Sequence, residues 1–506
     1  MAYTSTVAKI GKLVETESYP THMFSEKRRK VMTTRQEGSS KAFGVFFAAV
    51  LVASCGQMSA QTVKVPLDPG VRGGAAGAGS PLPGLTADEN AFFRDGLARF
   101  ASIEVVTGGN NNGLGPRFNS NQCLSCHAQP AAGGSSPARN PLIGIATLNG
   151  ARNTVPWFIT QNGPIREARF KLNPNGTNNG GVHNLFVITG RSDAAGCNIA
   201  QPNFLPAGNP LSAQGGNPNI IFRIPTPVFG AGLIEAIPDS AILANTNAEA
   251  SLKAGLGISG HPNAHLSGNA NFSANDGTIT RFGWKAQNKS LIMFAGEAYN
   301  VEMGITNQLF PQERDETPGC LFNATPEDTL NFTTTSTPPP NANTAVLSDI
   351  EAFADFMRML APPTPAPGTS STMNGRAIFA KIGCVQCHTP SFTTGRMIAS
   401  GASKVPSAAL SNQTVNLFSD LLVHHMGRSL ADGITQGGAG PDEFRTAPLW
   451  GVGQRVFFLH DGRTSNLVEA IEAHRSKDSE ANKVIDHFKS LKPRERQDVI
   501  NFLRSL

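Results

Sequence analysis

Cys384-Val-Gln-Cys387-His388 and Cys123-Leu-Ser-Cys126-His127 are two copies of one short pattern. Two thiols at this spacing can each add across one vinyl group of a haem, and the histidine directly after them falls beneath the iron as an axial ligand. A single Cys-x-x-Cys is also half of a zinc site or a redox dithiol. Here each copy is followed by His, and neither has a further Cys-x-x-Cys nearby to complete four zinc ligands. The pattern predicts two covalently bound c-type haems, held by Cys123, Cys126, His127, Cys384, Cys387 and His388, with both histidines on iron.

The other face of each iron decides its chemistry. Two protein ligands make an electron carrier, whereas an open or displaceable sixth position can bind peroxide or oxygen. Past the leader the further histidines are His183, His261, His265, His424, His425, His460, His474 and His487. Thr464–His474 reads as a helix capped by Ser465, and Leu467, Ile471 and His474 share its buried stripe. His474 is therefore either a satisfied core residue or the second axial ligand of the His388 haem. Met426, in Val423-His424-His425-Met426-Gly427, is the rival ligand. His460 reads as packing beside that haem, with Arg463 near a propionate.

Peroxide cleavage also needs an acid/base group over the open iron. Glu297 and Glu302, in the apolar segment Leu291–Gly304, are the candidates, against a surface salt bridge or a helix-end charge. Trp284 and Tyr299 are candidates for an electron relay, against ordinary core aromatics. Tyr299 is the sole tyrosine after the leader.

These groups need helices to place them. Thr86-Ala-Asp-Glu89 is a capping box opening a helix through Phe92, Phe93, Leu97 and Phe100. Asn374-Gly375-Arg376 to Phe379 leads into Cys384 in the same way. Ser348-Asp-Ile-Glu351 caps a helix ending at Leu360, and the chain itself ends Asn501-Phe502-Leu-Arg504-Ser-Leu506. A helix before the motif and an amphipathic one at the end is the small cytochrome c plan, occurring twice. The predicted fold is mainly α: two cytochrome c-like haem domains, the first with a long loop-rich insertion carrying small β-hairpins at Asn184–Thr189 and Asn219–Arg223. The divisions are a leader (1–54), a flexible Gly/Pro/Ala tether (55–85), the first haem domain (86–360, with Thr333–Asn343 a loop), a Pro-rich linker (361–372) and the second haem domain (373–506).

The leader points to export. Ala42 to Ser54 is an apolar run too short to span a bilayer and suited to a signal-peptide core, with Arg35 and Lys41 as its basic flank. A start at Met32 gives an ordinary length; from Met1 the leader is extended, or its first 31 residues are an artefact of annotation. Leu51-Val-Ala-Ser-Cys55 resembles a bacterial lipobox with Cys55 as the lipid-bearing residue; cleavage after Ala60 is the alternative. The leader holds eight of the basic residues and four acidic ones, leaving 34 against 33, so nothing argues for nucleic-acid binding. No later run is long enough to cross a membrane. Of seven cysteines, Cys197 and Cys320 remain, a disulfide pair in an oxidising compartment or two buried thiols.

Thr446-Ala-Pro-Leu-Trp450-Gly-Val and Phe457-Phe-Leu-His460-Asp-Gly462 are similar to the stretch after the second haem motif in the bacterial di-haem peroxidase superfamily. That superfamily includes the di-haem enzyme that matures a tryptophan-derived cofactor. The resemblance implies the axial ligand of the electron-transfer haem at His474, and a bis-His haem of lower potential where relatives carry Met or Tyr. More closely, Arg281–Gln287, Glu297–Asn307, Leu309–Glu313 and Ser419–Gly427 resemble the di-haem oxidoreductase family, whose members are described as peroxidases and sometimes labelled thiol oxidoreductases. The likeness runs over most of the chain from about residue 85. His425 departs from the pattern, which has Asp there. No cysteine is left over to form an active dithiol.

The expected function is an exported peroxidase-like di-haem oxidoreductase, with the His388 haem passing electrons to a peroxide-reactive His127 haem. A pure electron-transfer cytochrome, or an oxygen-using or protein-modifying oxidase, is the alternative; the long insertion favours an enzyme. The partners expected are a small redox protein or a quinol-linked donor, and hydrogen peroxide or oxygen as substrate. The expected location is the periplasm, with membrane contact through the Cys55 anchor only. A bound calcium ion is compatible with the chain, though no ligand set points to it.

Overall fold

The chain folds around two helix crossings that repeat one design. In the computed structural model the described residues are 65–106, 113–148, 153–190, 194–204, 219–264, 279–315, 317–323, 325–329, 347–400 and 406–506, all within the unit Gln61–Leu506. The leader, Cys55, the start of the tether, His265 and the Thr333–Asn343 loop lie outside them. The helices in chain order are α1 (Ala87–Phe100), α2 (Cys123–Cys126), α3 (Leu142–Leu148), α4 (Ala231–Glu235), α5 (Asp239–Asn247) and α6 (Ala250–Leu256). They continue with α7 (Leu291–Met303), α8 (Asp349–Met359), α9 (Ser370–Lys381), α10 (Leu467–Glu472), α11 (Asn482–Ser490) and α12 (Pro493–Ser505).

Helix α1 precedes the first haem motif and packs on α8; α9 precedes the second and packs on α12. Each crossing is set by a glycine. A Cβ on Gly96 would overlap the carbonyl oxygen of Ala352, and one on Gly375 that of Asp498. Phenylalanines fill both sides. Phe100 lies 4.9 Å from Phe356 and Phe379 lies 5.5 Å from Phe502, centroid to centroid. The helix starts follow local chemistry. Thr86 Oγ1 accepts the Glu89 N–H at 3.2 Å, while Glu89 returns a carboxylate oxygen to the Thr86 N–H at 2.8 Å. Ser348 and Thr369 cap α8 and α9, and Pro493 opens α12. No helix among the described residues is long and apolar enough to cross a membrane.

The β-structure is sparse: β1 (Arg117–Phe118), β2 (Glu167–Phe170), β3 (Val182–His183), β4 (Phe186–Val187), β5 (Ile220–Arg223), β6 (Asn263–Ala264), β7 (Ile279–Thr280), β8 (Phe392–Thr393), β9 (Thr414–Val415), β10 (Val423–His425) and β11 (Glu443–Arg445). The two stretches expected as hairpins pair instead with distant strands, β4 with β1 and β5 with β2. Short apolar runs do not name their partners.

The Pro/Gly-rich stretches also depart from expectation. From residue 65 the supposed tether is a strap held to the second haem segment, with Asp68 joined to Arg504 at 2.7 Å, both nearly fully buried. Ser80 and Gly77 carbonyls accept the N–H groups of Ala361 and Thr364, from the stretch expected to be a loose linker. Each low-complexity segment satisfies backbone groups of the other, which composition cannot show. Cys197 and Cys320 form a disulfide.

Candidate functional site

The Cys123–Cys126 thiols open onto a cavity of about 180 Å3, and Cys384 and Cys387 onto one of about 220 Å3. Each motif is wound as a single turn with the histidine at its end, so that His127 N–H reaches the Cys123 carbonyl at 3.1 Å and His388 N–H that of Cys384 at 2.9 Å. His127 Nδ1–H donates to the Gly134 carbonyl and His388 Nδ1–H to that of Phe418, both at 3.0 Å. That tautomer leaves Nε2 with its lone pair, the form an iron takes. Burial pulls both rings down to about 4, so neither carries a proton to compete at neutral pH. Phe100 stands edge-on to His127 and Phe379 tilts against His388, the same support twice.

The four motif thiols are unpaired. Burial pushes Cys126 and Cys384 up to about 12. A redox dithiol needs the opposite shift.

The first cavity gathers Glu297, Glu302, Trp284 and Tyr299, the four residues read as catalytic. Glu302, at the end of α7, accepts the Asn119 side-chain N–H at 2.6 Å. Its carboxyl is pushed well above the usual range by burial and then by Glu167, with which it shares a hydrogen bond. Glu167 stays low in spite of burial because Arg169 pairs with it. The two environments are thus opposed, favouring the proton on Glu302 and the charge on Glu167. Glu297 accepts from Asn288. Tyr299, almost wholly buried, donates to Asp349 at 2.9 Å, and Asp349 is paired with Arg99 at 2.8 Å. Glu167 and Arg169 were missed in the sequence. They lie on β2, remote from any motif, and only strand pairing brings them to α7.

The second cavity is lined by His474, Met426 and His460. Helix α10 is shorter than expected: Asn466, not Ser465, caps it by accepting two N–H groups, and His474 follows its end. His474 Nδ1–H donates to the Ala470 carbonyl at 2.7 Å, again leaving Nε2 free for iron. Burial lowers its proton affinity, and its field in turn lowers that of His388, so the two rings are close enough to interact. Met426 packs with Trp284 and Phe444. His460 lines the cavity and is stacked on Phe444 at 4.2 Å. His424 also lines this cavity, but Asp420 takes one ring nitrogen at 2.9 Å and Glu480 the other at 2.7 Å, which leaves none for iron.

Arg463 is not in the cavity wall. It pairs with Asp461 at 2.7 Å and donates to the Ser429 carbonyl, both at the surface. Two other arginines face the second cavity and the small one beside it: Arg445 and Arg455. Burial pulls each down to about 10, Arg445 further by Arg455, and neither has a carboxylate partner among the described residues. Guanidiniums drawn out of water without a carboxylate call for anions, and haem propionates are the anions this cavity would receive. Trp284 is the one described residue that lines both haem cavities; its indole N–H is fixed on the Ile224 carbonyl at 2.8 Å.

Two cavities, each lined by a thiol pair and a histidine with Nε2 left free, fit a protein of two haems. Residues 217–506 match the family model described as "Di-haem oxidoreductase, putative peroxidase", and the chain belongs to that family of oxidoreductases. A comparison with curated protein sequences finds no match. Among solved structures, the diheme peroxidase BthA from Burkholderia thailandensis E264 is 17% identical with a TM-score of 0.26, over 45% of this chain and 65% of its own. A MauG-like protein associated with microbial copper homeostasis is 17% identical with a TM-score of 0.23, over 33% of this chain and 55% of its own. Kuenenia stuttgartiensis hydrazine synthase is 22% identical with a TM-score of 0.21, over 31% and 55%. The chain thus spans between half and two thirds of these structures.

Proposed function

We propose that the protein is an exported di-haem c-type oxidoreductase of peroxidase type, reactive at the His127 side and supplied with electrons through the His388 side. The observation that carries this reading is the difference between the cavities. In the first, His127 is the sole histidine of the wall among the described residues, and beside it stands Glu302, whose carboxyl is raised well above the usual range by burial and Glu167. In the second, His474 offers a further imidazole nitrogen.

Bound haem would supply iron for peroxide on one side and one-electron storage on the other. The chain's own residues do the rest. Glu302, rather than Glu297, gives its proton to the departing peroxide oxygen and takes one back from the oxygen left behind, because burial and Glu167 favour its protonated form. Asn119 fixes its carboxyl, and Glu167, anchored by Arg169, keeps it protonated. Trp284 carries electrons between the sides, and Tyr299 passes its phenolic proton to Asp349 when it serves the same role. Arg445 and Arg455 hold propionates. The donor is a small redox protein or a quinol-linked carrier. The Cys197–Cys320 disulfide supports an oxidising compartment, hence the periplasm, with Cys55 as lipid anchor.

Rapid mixing of half-reduced holoprotein with hydrogen peroxide tests this. Stoichiometric peroxide loss with oxidation of the stored electron is expected. A pure carrier would leave the peroxide intact.

A further inference from the structure

On the β10–β11 ladder that also lines the second cavity, but outside the cavity wall, two half-exposed histidines converge on one carboxylate oxygen. His261 Nε2 lies 2.8 Å and His425 Nε2 3.2 Å from Glu443 Oε1. Backbone pairing brings them together. In the antiparallel β10–β11 ladder His425 sits directly opposite Glu443. His261 bridges Val423 on the other side of β10, through N–H···O bonds of 3.0 and 2.9 Å. Residues two apart on a strand share a face, so the three side chains stand on one side of the ladder.

Each group is already oriented. Glu443 is buried and its second oxygen accepts the Gly440 N–H at 2.6 Å, which leaves Oε1 turned to the histidines. His261 Nδ1–H donates to the Pro262 carbonyl at 3.1 Å, and His425 Nδ1 meets Asp442 at 3.0 Å. That is the outer shell of a metal-bound histidine: Nδ1–H held by a carbonyl or carboxylate, Nε2 presented as the ligand. An Nε2 lone pair against a carboxylate oxygen is repulsive unless a proton or a metal cation lies between them.

We propose that His261, His425 and Glu443 bind one divalent transition-metal ion of the zinc type, with Asp442 orienting His425. Two imidazoles rule out magnesium and calcium, which take oxygen ligands. The side chains are 44% and 49% exposed, which leaves both rings room to turn from Glu443 Oε1 onto a shared ion, whose bonds to imidazole nitrogen are about 2.0–2.1 Å. The tighter Cys387–Asp420–His424 group is a different case. Both His424 nitrogens are engaged there, and Cys387 belongs to the haem motif.

The test is calorimetric titration of Zn2+ into chelator-stripped, haem-loaded full chain. One ion per chain is expected. His261→Gln and His425→Gln should each weaken binding at least tenfold, and Asp442→Asn by about tenfold, the lower end for an outer-shell partner. His487→Gln, on α11, should bind as the parent does. Unchanged haem absorbance in each variant reports that the fold survives, and both mutated rings are half in solvent. Absence of stoichiometric zinc binding, or binding unaltered in both histidine variants, would overturn the site.

Discussion

Glu302 and Glu167 share a hydrogen bond in the wall of the His127 cavity, and their surroundings oppose each other: burial and Glu167 push Glu302 up, while Arg169 holds Glu167 down in spite of burial. Glu302→Gln keeps the shape and removes the titrating group. Peroxide turnover should fall by about 10²–10⁴-fold, the usual worth of a general acid/base, with haem content unchanged. Glu167→Gln removes the neighbouring charge that keeps Glu302 protonated. The alkaline limb of the pH–rate profile should then move to lower pH, a displacement that steady-state assays across pH would read.

His474→Ala should leave the His388 iron with one protein ligand and convert its low-spin EPR signal to high-spin, with the other haem's signal unaltered. His474→Met should keep a six-coordinate iron and raise its potential, since thioether ligation favours the reduced state relative to bis-imidazole. Redox titration followed by visible absorbance separates the two. An unchanged spectrum in both variants would move the ligand assignment to Met426.

Arg445→Gln or Arg455→Gln removes a positive charge from the wall of the second cavity. Less positive surroundings favour the oxidised iron, so the potential of that haem should fall in either variant. Arg463→Gln, at the surface, should leave it where it is.

The two helix crossings predict a matched pair of stability effects. Gly96→Ala and Gly375→Ala each force a methyl into a facing backbone carbonyl. Each should cost about 1–3 kcal/mol, as overpacking does. Gly144→Ala, where a Cβ meets nothing, should cost nothing. Urea unfolding followed by circular dichroism gives the comparison.

Stability against pH should fall on both sides of a maximum. Burial, then Glu313, raises Glu327 to about 8, and burial, then Asp349, raises Asp328 to about 7. The native state then keeps protons that the unfolded chain has released, so stability declines as pH rises from about 4.5 to 8 and levels off above that. Glu480 is the reverse: burial opposes its charge, but His424 holds it down to about 2, so stability is lost as pH falls from 4.5 towards 2. Glu327→Gln should flatten the first slope and Glu480→Gln the second, read as urea midpoints against pH.

What the sequence disclosed and what it withheld divide by distance along the chain. The haem motifs, the Thr86 and Ser348 caps and the helices flanking each motif are local patterns, and they stand where expected. Glu297, Glu302, Trp284 and Tyr299 were reached through one apolar segment and its neighbour, and all four line the same cavity. Glu167 and Arg169 arrive through strand pairing with β5, more than fifty residues away, so no local signal marked them. Arg445 and Arg455 were hidden because an arginine in an apolar run gives no hint of its partner, whereas Arg463 sat invitingly beside His460. The Pro-rich strap looked like free coil because only tertiary contacts, such as Asp68 with Arg504, tie it down.

The central claim is that the two irons differ, one open and one closed by His474. Low-temperature EPR of the haem-loaded protein tests this most directly, in the oxidised and half-reduced states, each before and after hydrogen peroxide. One high-spin and one low-spin haem are predicted in at least one of these states, with the high-spin signal lost on peroxide addition. Two low-spin signals in both states, indifferent to peroxide, would contradict the account and leave an electron carrier.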